Sequence, residues 1–440
     1  MISAATFGEP VGPRDARAAL HEVSADPLVR TDPEVERLLI AEEERQRDGL
    51  ELIPSENYAS PAVRAALSSV LTNKYSEGYS GQRYYGGQEV IDAVEDLACA
   101  RALRLFLRGK ECLEWDANVQ PYSGTSANIA VLLGLAPLGS RLLGLQLTHG
   151  GHLSHGHRVA FSGIAYEAHQ YALDPTTEHL DFDAIRALAR RVRPAILFSG
   201  ASAYPRAIDF RALQSIADEV GALHVADIAH VAGLIVGGAH PSPFPFTPVV
   251  TFTTHKTLRG PRGGVIVSRR EHSAAIARAV FPGIQGGPHD HVTAAKAVCF
   301  QEALQPEFSV YARQVVANAR SLAERLAEHG FRLVTGGTDT HLLLLDLRPH
   351  GLTGTEAEAA LDLVGITANK NTIPDDPRPP KDPSGLRLGT PPLTTRGMRE
   401  DAMRRIADWI AETLLHRSDT DRLTRLREEV RAFARAFPPP

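Results

Sequence analysis

The sequence predicts an α/β protein, with a mostly parallel sheet flanked by helices and a smaller α+β unit at the C-terminal end. Three observations carry this. Phe182, Ile185, Leu188, Ala189 and Val192 recur at helical spacing, and the strand-like run Ala195-Ile196-Leu197-Phe198 follows them. Phe210, Leu213, Ile216, Ala217 and Val220 make a second helical stripe, stopped by Gly221 before an apolar run that ends at Asp227. Past about residue 310 the pattern becomes one long helix and then a strand over His341 to Asp346. Strand, helix and strand in succession imply a right-handed crossover, hence parallel pairing with ligands at the C-terminal edge of the sheet.

The elements follow in order. Residues 1–30 are irregular in pattern and read as a mobile leader, part of an N-terminal arm over 1–74. Asp32-Pro33 caps and starts a helix carrying Val35, Leu38 and Leu39, and Ser60-Pro61 repeats the signal before Val63, Ala66, Leu67 and Val70. A large domain over 75–310 and a small domain over 311–440 account for the rest, as expected for 440 residues.

Composition narrows the function. A net charge of −5 with both signs dispersed gives no basic patch for nucleic acid. Cys99, Cys112 and Cys299 are too few and too scattered for a disulfide framework or a zinc ribbon. No charged segment followed by an apolar stretch opens the chain, and no apolar run is long enough for a bilayer, so a soluble cytoplasmic protein is expected.

The most informative stretch is Thr253-Thr254-His255-Lys256-Thr257-Leu258-Arg259, which follows the β-branched run Val249 to Phe252. A lysine just past a strand end, flanked by hydroxyls and an imidazole, is placed to form a Schiff base with a carbonyl. Gly260-Pro261-Arg262-Gly263-Gly264 then forms a rigid turn. Alone, Lys256 reads more readily as a surface lysine, and Asp227 as a helix cap. Together they are the pair that pyridoxal phosphate needs, a lysine for the aldehyde and a buried carboxylate for the pyridine nitrogen. Ser123, Gly124 and Thr125, before the apolar helical run Ile129 to Leu135, offer a phosphate seat as well as a plain N-cap. In Thr148-His149-Gly150-Gly151-His152-Leu153-Ser154-His155-Gly156-His157, no acidic or cysteine ligand completes a zinc set and the glycines break helical spacing. No metal is expected, and His152 is assigned to stack on the cofactor ring.

With these residues in view the chain resembles the serine hydroxymethyltransferase family, pyridoxal-phosphate enzymes of the aspartate aminotransferase fold type (fold type I). The resemblance runs from about Leu50 to the C-terminus. Beyond the histidine and lysine segments it rests on Glu51-Leu52-Ile53-Pro54-Ser55-Glu56-Asn57, Leu71 to Tyr79, Arg83-Tyr84-Tyr85-Gly86-Gly87, Phe281 to Pro288 and Ser384 to Thr390. It implies transfer of the serine hydroxymethyl carbon to tetrahydrofolate by cleavage of Cα–Cβ, in a homodimer with shared active sites.

By the same resemblance, Glu77 handles the proton, and Tyr75, Glu77 and Tyr85 serve the neighbouring subunit's site. Arg387 binds the substrate carboxylate, for which a guanidinium fork is suited, and Ser55 contacts the substrate. Ser202 and His230 lie by the ring's phenolic oxygen, while Thr253, His255 and Arg262 support the lysine and phosphate surroundings. Gly286 and Gly287 complete the phosphate cup across the dimer. Tyr84, Leu147, Gly151, Leu153 and Asn371 hold the folate. Pro54, Gln88, Lys381 and Pro392 depart from the family's usual residues, and Pro54, next to Ser55, is expected to reshape the space beside Cα. Two alternatives follow. One is a 2-methylserine hydroxymethyltransferase with alanine as acceptor, the other a non-catalytic scaffold, which retention of Lys256, Asp227 and Arg387 disfavours.

Overall fold

The computed structural model of the protein describes residues 27–440. Most of the expected leader lies outside the described residues; its last residues are helical, over Pro27–Thr31. The two proline-started helices form as their signals dictate. Asp32 Oδ1 accepts from Val35 N at 3.0 Å to cap Pro33–Asp48, and Ser60 Oγ accepts from Val63 N at 3.1 Å to cap Pro61–Leu67.

The main sheet has seven strands: β1 (Trp115–Asn118), β2 (Arg141–Leu145), β3 (Glu167–Tyr171), β4 (Ile196–Ser199), β5 (Leu223–Asp227), β6 (Val249–Thr253) and β7 (Gly264–Arg269). Their spatial order is β1-β7-β6-β5-β4-β2-β3. The four pairings from β6 across to β3 are parallel, while β7 runs antiparallel to both its neighbours. The five inner strands are buried on both faces, which explains their largely apolar runs, while the edge strands β1 and β3 are more open. Successive residues sort into two cores: Ala226, Val250, Val265 and Val267 on one side, Val225, Val249 and Ile266 on the other. The predicted helices Phe182–Val192 and Phe210–Val220 both cover the first of these faces, the latter ending at Gly221 with φ 70°, while the helix Gly124–Leu135 packs on the other.

A four-stranded antiparallel sheet forms the smaller unit: β8 (Arg332–Leu333), β9 (Leu342–Asp346), β10 (Asn369–Asn371) and β11 (Gly385–Gly389), in the order β8-β9-β11-β10. Its core joins Leu343, Leu345, Leu386 and Leu388 to Ile406, Ile410 and Leu414. Its ties to the rest include a shared helix and an early strand. The helix Pro306–Glu328 buries Phe308 and Val315 in the large core and Leu322 and Leu326 in the small one. Leu50 and Glu51 pair in parallel with Ile366 and Thr367, so the chain before the large domain is anchored on the small one. Among the described residues no helix is long and apolar enough to cross a membrane.

Candidate active site

The parallel strands end at one edge, and the loops leaving them carry the predicted chemistry. Asp227 is the last residue of β5, Lys256 follows β6 by one short turn, and Ser202 follows β4. Close approach of these ends depends on Gly200. Its φ is 116°, and a Cβ there would stand 1.9 Å from the Asp227 carbonyl oxygen.

A cavity of about 170 Å³ opens at this edge. It is lined by Ser123, Gly124, Thr125, His152, Ser202, Asp227, His230, Thr253, His255, Lys256 and Arg262, together with His155, Ala201 and Ala229. A second cavity of about 510 Å³ adjoins it, sharing His152, Ser202, His230, His255, Lys256 and Arg262. Its further walls are Ser55, Leu147, Gly151, Leu153, Asn371 and Arg387, with Glu56, Ala203 and Thr372.

Lys256 Nζ donates to Thr253 Oγ1 at 3.1 Å, and Asn57 Nδ2 holds the Lys256 carbonyl at 2.9 Å. The turn beyond it folds back, with Thr254 N donating to Gly263 O at 3.1 Å and Gly260 N to Thr254 O at 2.7 Å. Burial pushes the Lys256 pKa down to about 8; Asp227 opposes this, and Arg387 and Arg262 reinforce it.

Asp227 is 9% exposed. Burial would raise its pKa, but His155, bonded through Nε2 to Oδ2 at 3.0 Å, together with His152 and Asn128, holds it well below the usual carboxylate range. Asn128 Nδ2 donates to the same oxygen at 2.8 Å, and Ala229 N donates to Oδ1 at 3.0 Å. The carboxylate is thus fixed and charged at the cavity floor. Burial lowers His152 to about 4 and His255 to about 3, so both rings are neutral at pH 7. Ser154 N donates to His152 Nδ1 at 3.2 Å, which sets that ring's orientation.

The candidate phosphate seat carries a helix cap. Ser123 Oγ accepts from Ser126 N at 3.2 Å at the start of the helix Gly124–Leu135. The first-turn N–H groups of Gly124 and Thr125 have no intrahelical acceptor by position. Arg387, in the middle of β11, donates to Ser202 O at 2.6 Å and Asn369 Oδ1 at 3.1 Å, leaving donors for a ligand in the second cavity.

Six predicted residues line neither cavity and gather elsewhere. Tyr75 OH donates to Glu77 Oε1 at 3.2 Å, and the Tyr75 and Tyr85 rings meet edge to face at 5.2 Å. Gly286 and Gly287 pack on Glu77 and Tyr75, and Tyr84 packs on Phe281. Tyr75, Tyr84 and Tyr85 are 53%, 75% and 48% exposed. The unusual Gln88 supports this loop, its Nε2 donating to Tyr75 O at 2.9 Å.

Two sequence expectations are corrected. An acidic group does join the histidines: ligand atoms of His152, His155 and Asp227 lie within 4.8 Å of one another, because β5 delivers Asp227 from a distant part of the chain. Pro54 is buried against Gly389, where an added Cβ would come within 2.6 Å of it, and it lines neither cavity. His155 and Asn128 were missed. Asn128 had a signal, an amide in an otherwise apolar helix.

The donor set fits pyridoxal phosphate: a lysine of lowered pKa, a buried charged carboxylate and free helix N–H groups around one cavity. Comparison with known proteins agrees. The family model described as serine hydroxymethyltransferase matches residues 28–410. The protein named serine hydroxymethyltransferase of Acidobacterium capsulatum is 54% identical over 411 residues, 93% of this chain and 95% of its own. Those of Koribacter versatilis and Methanospirillum hungatei are 54% and 53% identical over the same span, which covers 95% and 98% of their lengths.

Proposed function

The chain belongs to the serine hydroxymethyltransferase family, and we propose that its two joined cavities bind pyridoxal phosphate and then serine with tetrahydrofolate. The reaction is reversible transfer of the serine hydroxymethyl carbon to tetrahydrofolate, leaving glycine. The observation that carries this is the convergence of Lys256, Asp227 and the Ser123–Thr125 helix start on one cavity that opens beside Arg387.

Lys256 would hold the cofactor's aldehyde, Asp227 would face its ring nitrogen, and Ser123, Gly124 and Thr125 would bind its phosphate. When bound, the cofactor supplies an electron sink for the pair left at Cα as Cα–Cβ breaks. Arg387 is placed to grip the substrate carboxylate in the second cavity, fixing the orientation of the bonds at Cα. Ser55 would contact the substrate there, and Leu147, Gly151, Leu153 and Asn371 offer walls for the folate. His152, neutral through burial, can lie against an aromatic ring without charge repulsion.

The protein acts as a homodimer with shared sites in this reading. Tyr75, Glu77 and Tyr85 stand together on an exposed surface, away from their own chain's cavities, and are free to serve a partner's. Glu77 would take the substrate hydroxyl proton. The helix Pro33–Asp48 also exposes Val35, Leu38, Leu39 and Ile40, an apolar face that a second copy would cover. The separate cores support reading 75–310 and 311–440 as large and small domains.

Serine carrying an isotope at Cβ tests the activity. Label should pass to the folate product while unlabelled glycine accumulates, and neither should form without tetrahydrofolate at a comparable rate. Label retained in serine, with the cofactor bound, would contradict the reading.

A further inference from the structure

Lys296 is a cation deep inside an apolar region. It lies on the helix Asp290–Ala303, is 2% exposed, and has Ala295, Ala297, Cys299 and Phe300 as buried neighbours on that helix. Among the described residues no carboxylate lies within ion-pair distance of it. Its Nζ instead donates to three backbone carbonyls, Val119 O at 2.5 Å, Gly264 O at 2.9 Å and Pro121 O at 3.1 Å. An ammonium has three donors and no acceptor, so three carbonyls satisfy it completely. Burial pushes its pKa down to about 7, with Cys99 and Glu95 opposing, and the three acceptors favour the charged form.

The three carbonyls belong to the two segments that flank the phosphate seat. Val119 and Pro121 lead from β1 into Ser123, while Gly264 opens β7 directly after the Arg262 turn. Gly264 N donates to Pro121 O at 3.0 Å, and a Cβ on Gly264 would stand 2.3 Å from the Ser123 carbonyl oxygen. The segments therefore touch backbone to backbone. Gln285 takes the intervening carbonyl, its Nε2 donating to Gln120 O at 3.0 Å while its Oε1 accepts from Tyr122 N at 3.1 Å. The approach to Ser123 is held from behind, and Lys296 holds both of its outer carbonyls.

We propose that Lys296 is a positioning residue for the phosphate seat, a built-in cation whose three-carbonyl cage fixes Ser123, Gly124, Thr125 and the Arg262 turn to receive a dianion. This rests on the reading of that seat as the pyridoxal phosphate site. The cage is the kind of ligand set that a small monovalent cation takes, with Nζ standing where the ion would.

Lys296→Ala opens the cage, and pyridoxal phosphate dissociation followed by absorbance should show affinity weakened on the order of tenfold, as for other supporting groups behind a ligand site. Ammonium chloride should restore much of that affinity; tetramethylammonium chloride at equal ionic strength, too large for the cage, should not. Lys296→Met should show the loss without rescue. Gly263→Ala covers the case in which these variants fail to fold, because its Cβ would come within 2.4 Å of Lys296 Cε and displace the ammonium without deleting it. It should weaken binding in the same direction. Wild-type affinity in Lys296→Met or Gly263→Ala, or a loss in Lys296→Ala that ammonium leaves unchanged, would overturn the proposal. Wild-type protein that binds no pyridoxal phosphate would overturn the reading of the seat instead.

Discussion

His155 Nε2 lies 3.0 Å from Asp227 Oδ2, and this contact keeps a carboxylate charged at the floor of a buried cavity. The Asp227 pKa is depressed below its ordinary value of 3.8. Its stabilisation is therefore fully present above that value and is lost as pH falls through the lower folded pKa. Asp227 accordingly stays ionised throughout the working range. His155→Ala removes one partner and should cost about 1–3 kcal/mol of stability, read as a lower urea midpoint at unchanged slope. Asp227→Asn should keep its far-ultraviolet circular dichroism but lose about 100-fold or more in turnover.

Lys256 gives a pH prediction of its own. Its neutral amine is the reactive form, and the buried pKa of about 8 means that this form grows as pH rises toward that value. Capture of pyridoxal phosphate by cofactor-free protein, followed by stopped-flow absorbance, should accelerate with pH and level off above about 8. A rate still climbing near the ordinary lysine value of about 10.4 would show an unperturbed amine.

The proposed sharing of the site between subunits leads to a complementation test. Glu77→Ala and Lys256→Ala chains should each be inactive alone. Randomly reassorted, half the dimers are mixed and each carries one intact site, so roughly a quarter of wild-type activity should return. No recovery, with mixed dimers demonstrated by mass spectrometry, would place Glu77 in its own chain's site.

Pro54 should not set substrate choice. It packs on Gly389 and not into either cavity, so Pro54→Ala should leave the ratio of serine to 2-methylserine turnover within about twofold, the size of a change of ~0.4 kcal/mol. Serine should be the faster substrate in both proteins. A ratio that swings toward 2-methylserine on substitution would tie Pro54 to the pocket after all.

Much of this architecture was legible because its signals are local. Ser123 before an apolar helix, Gly221 after one, and Asp227 and Lys256 at the ends of apolar runs each declare their position within a few residues. His155 was not legible. Its partner is 72 residues away, and spacing within the histidine segment carries no trace of which strand end will face it. Asn128 could have been found, since an amide fully buried in an apolar helix needs a polar partner. Lys296 is a further case in which only the folded backbone brings the partners, three carbonyls, around a side chain. Adjacency to Ser55 in sequence does not fix the direction in which the Pro54 ring packs, and only the fold sets it against Gly389.

In the proposed reading, Lys256 carries the cofactor at the edge of the parallel sheet. Borohydride reduction of the pyridoxal-phosphate-loaded protein, followed by peptide mapping, tests it directly. A single phosphopyridoxyl group should be found on Lys256 and be absent from Lys256→Ala. The same group found on another lysine, or no group at all in protein that binds the cofactor, would contradict it.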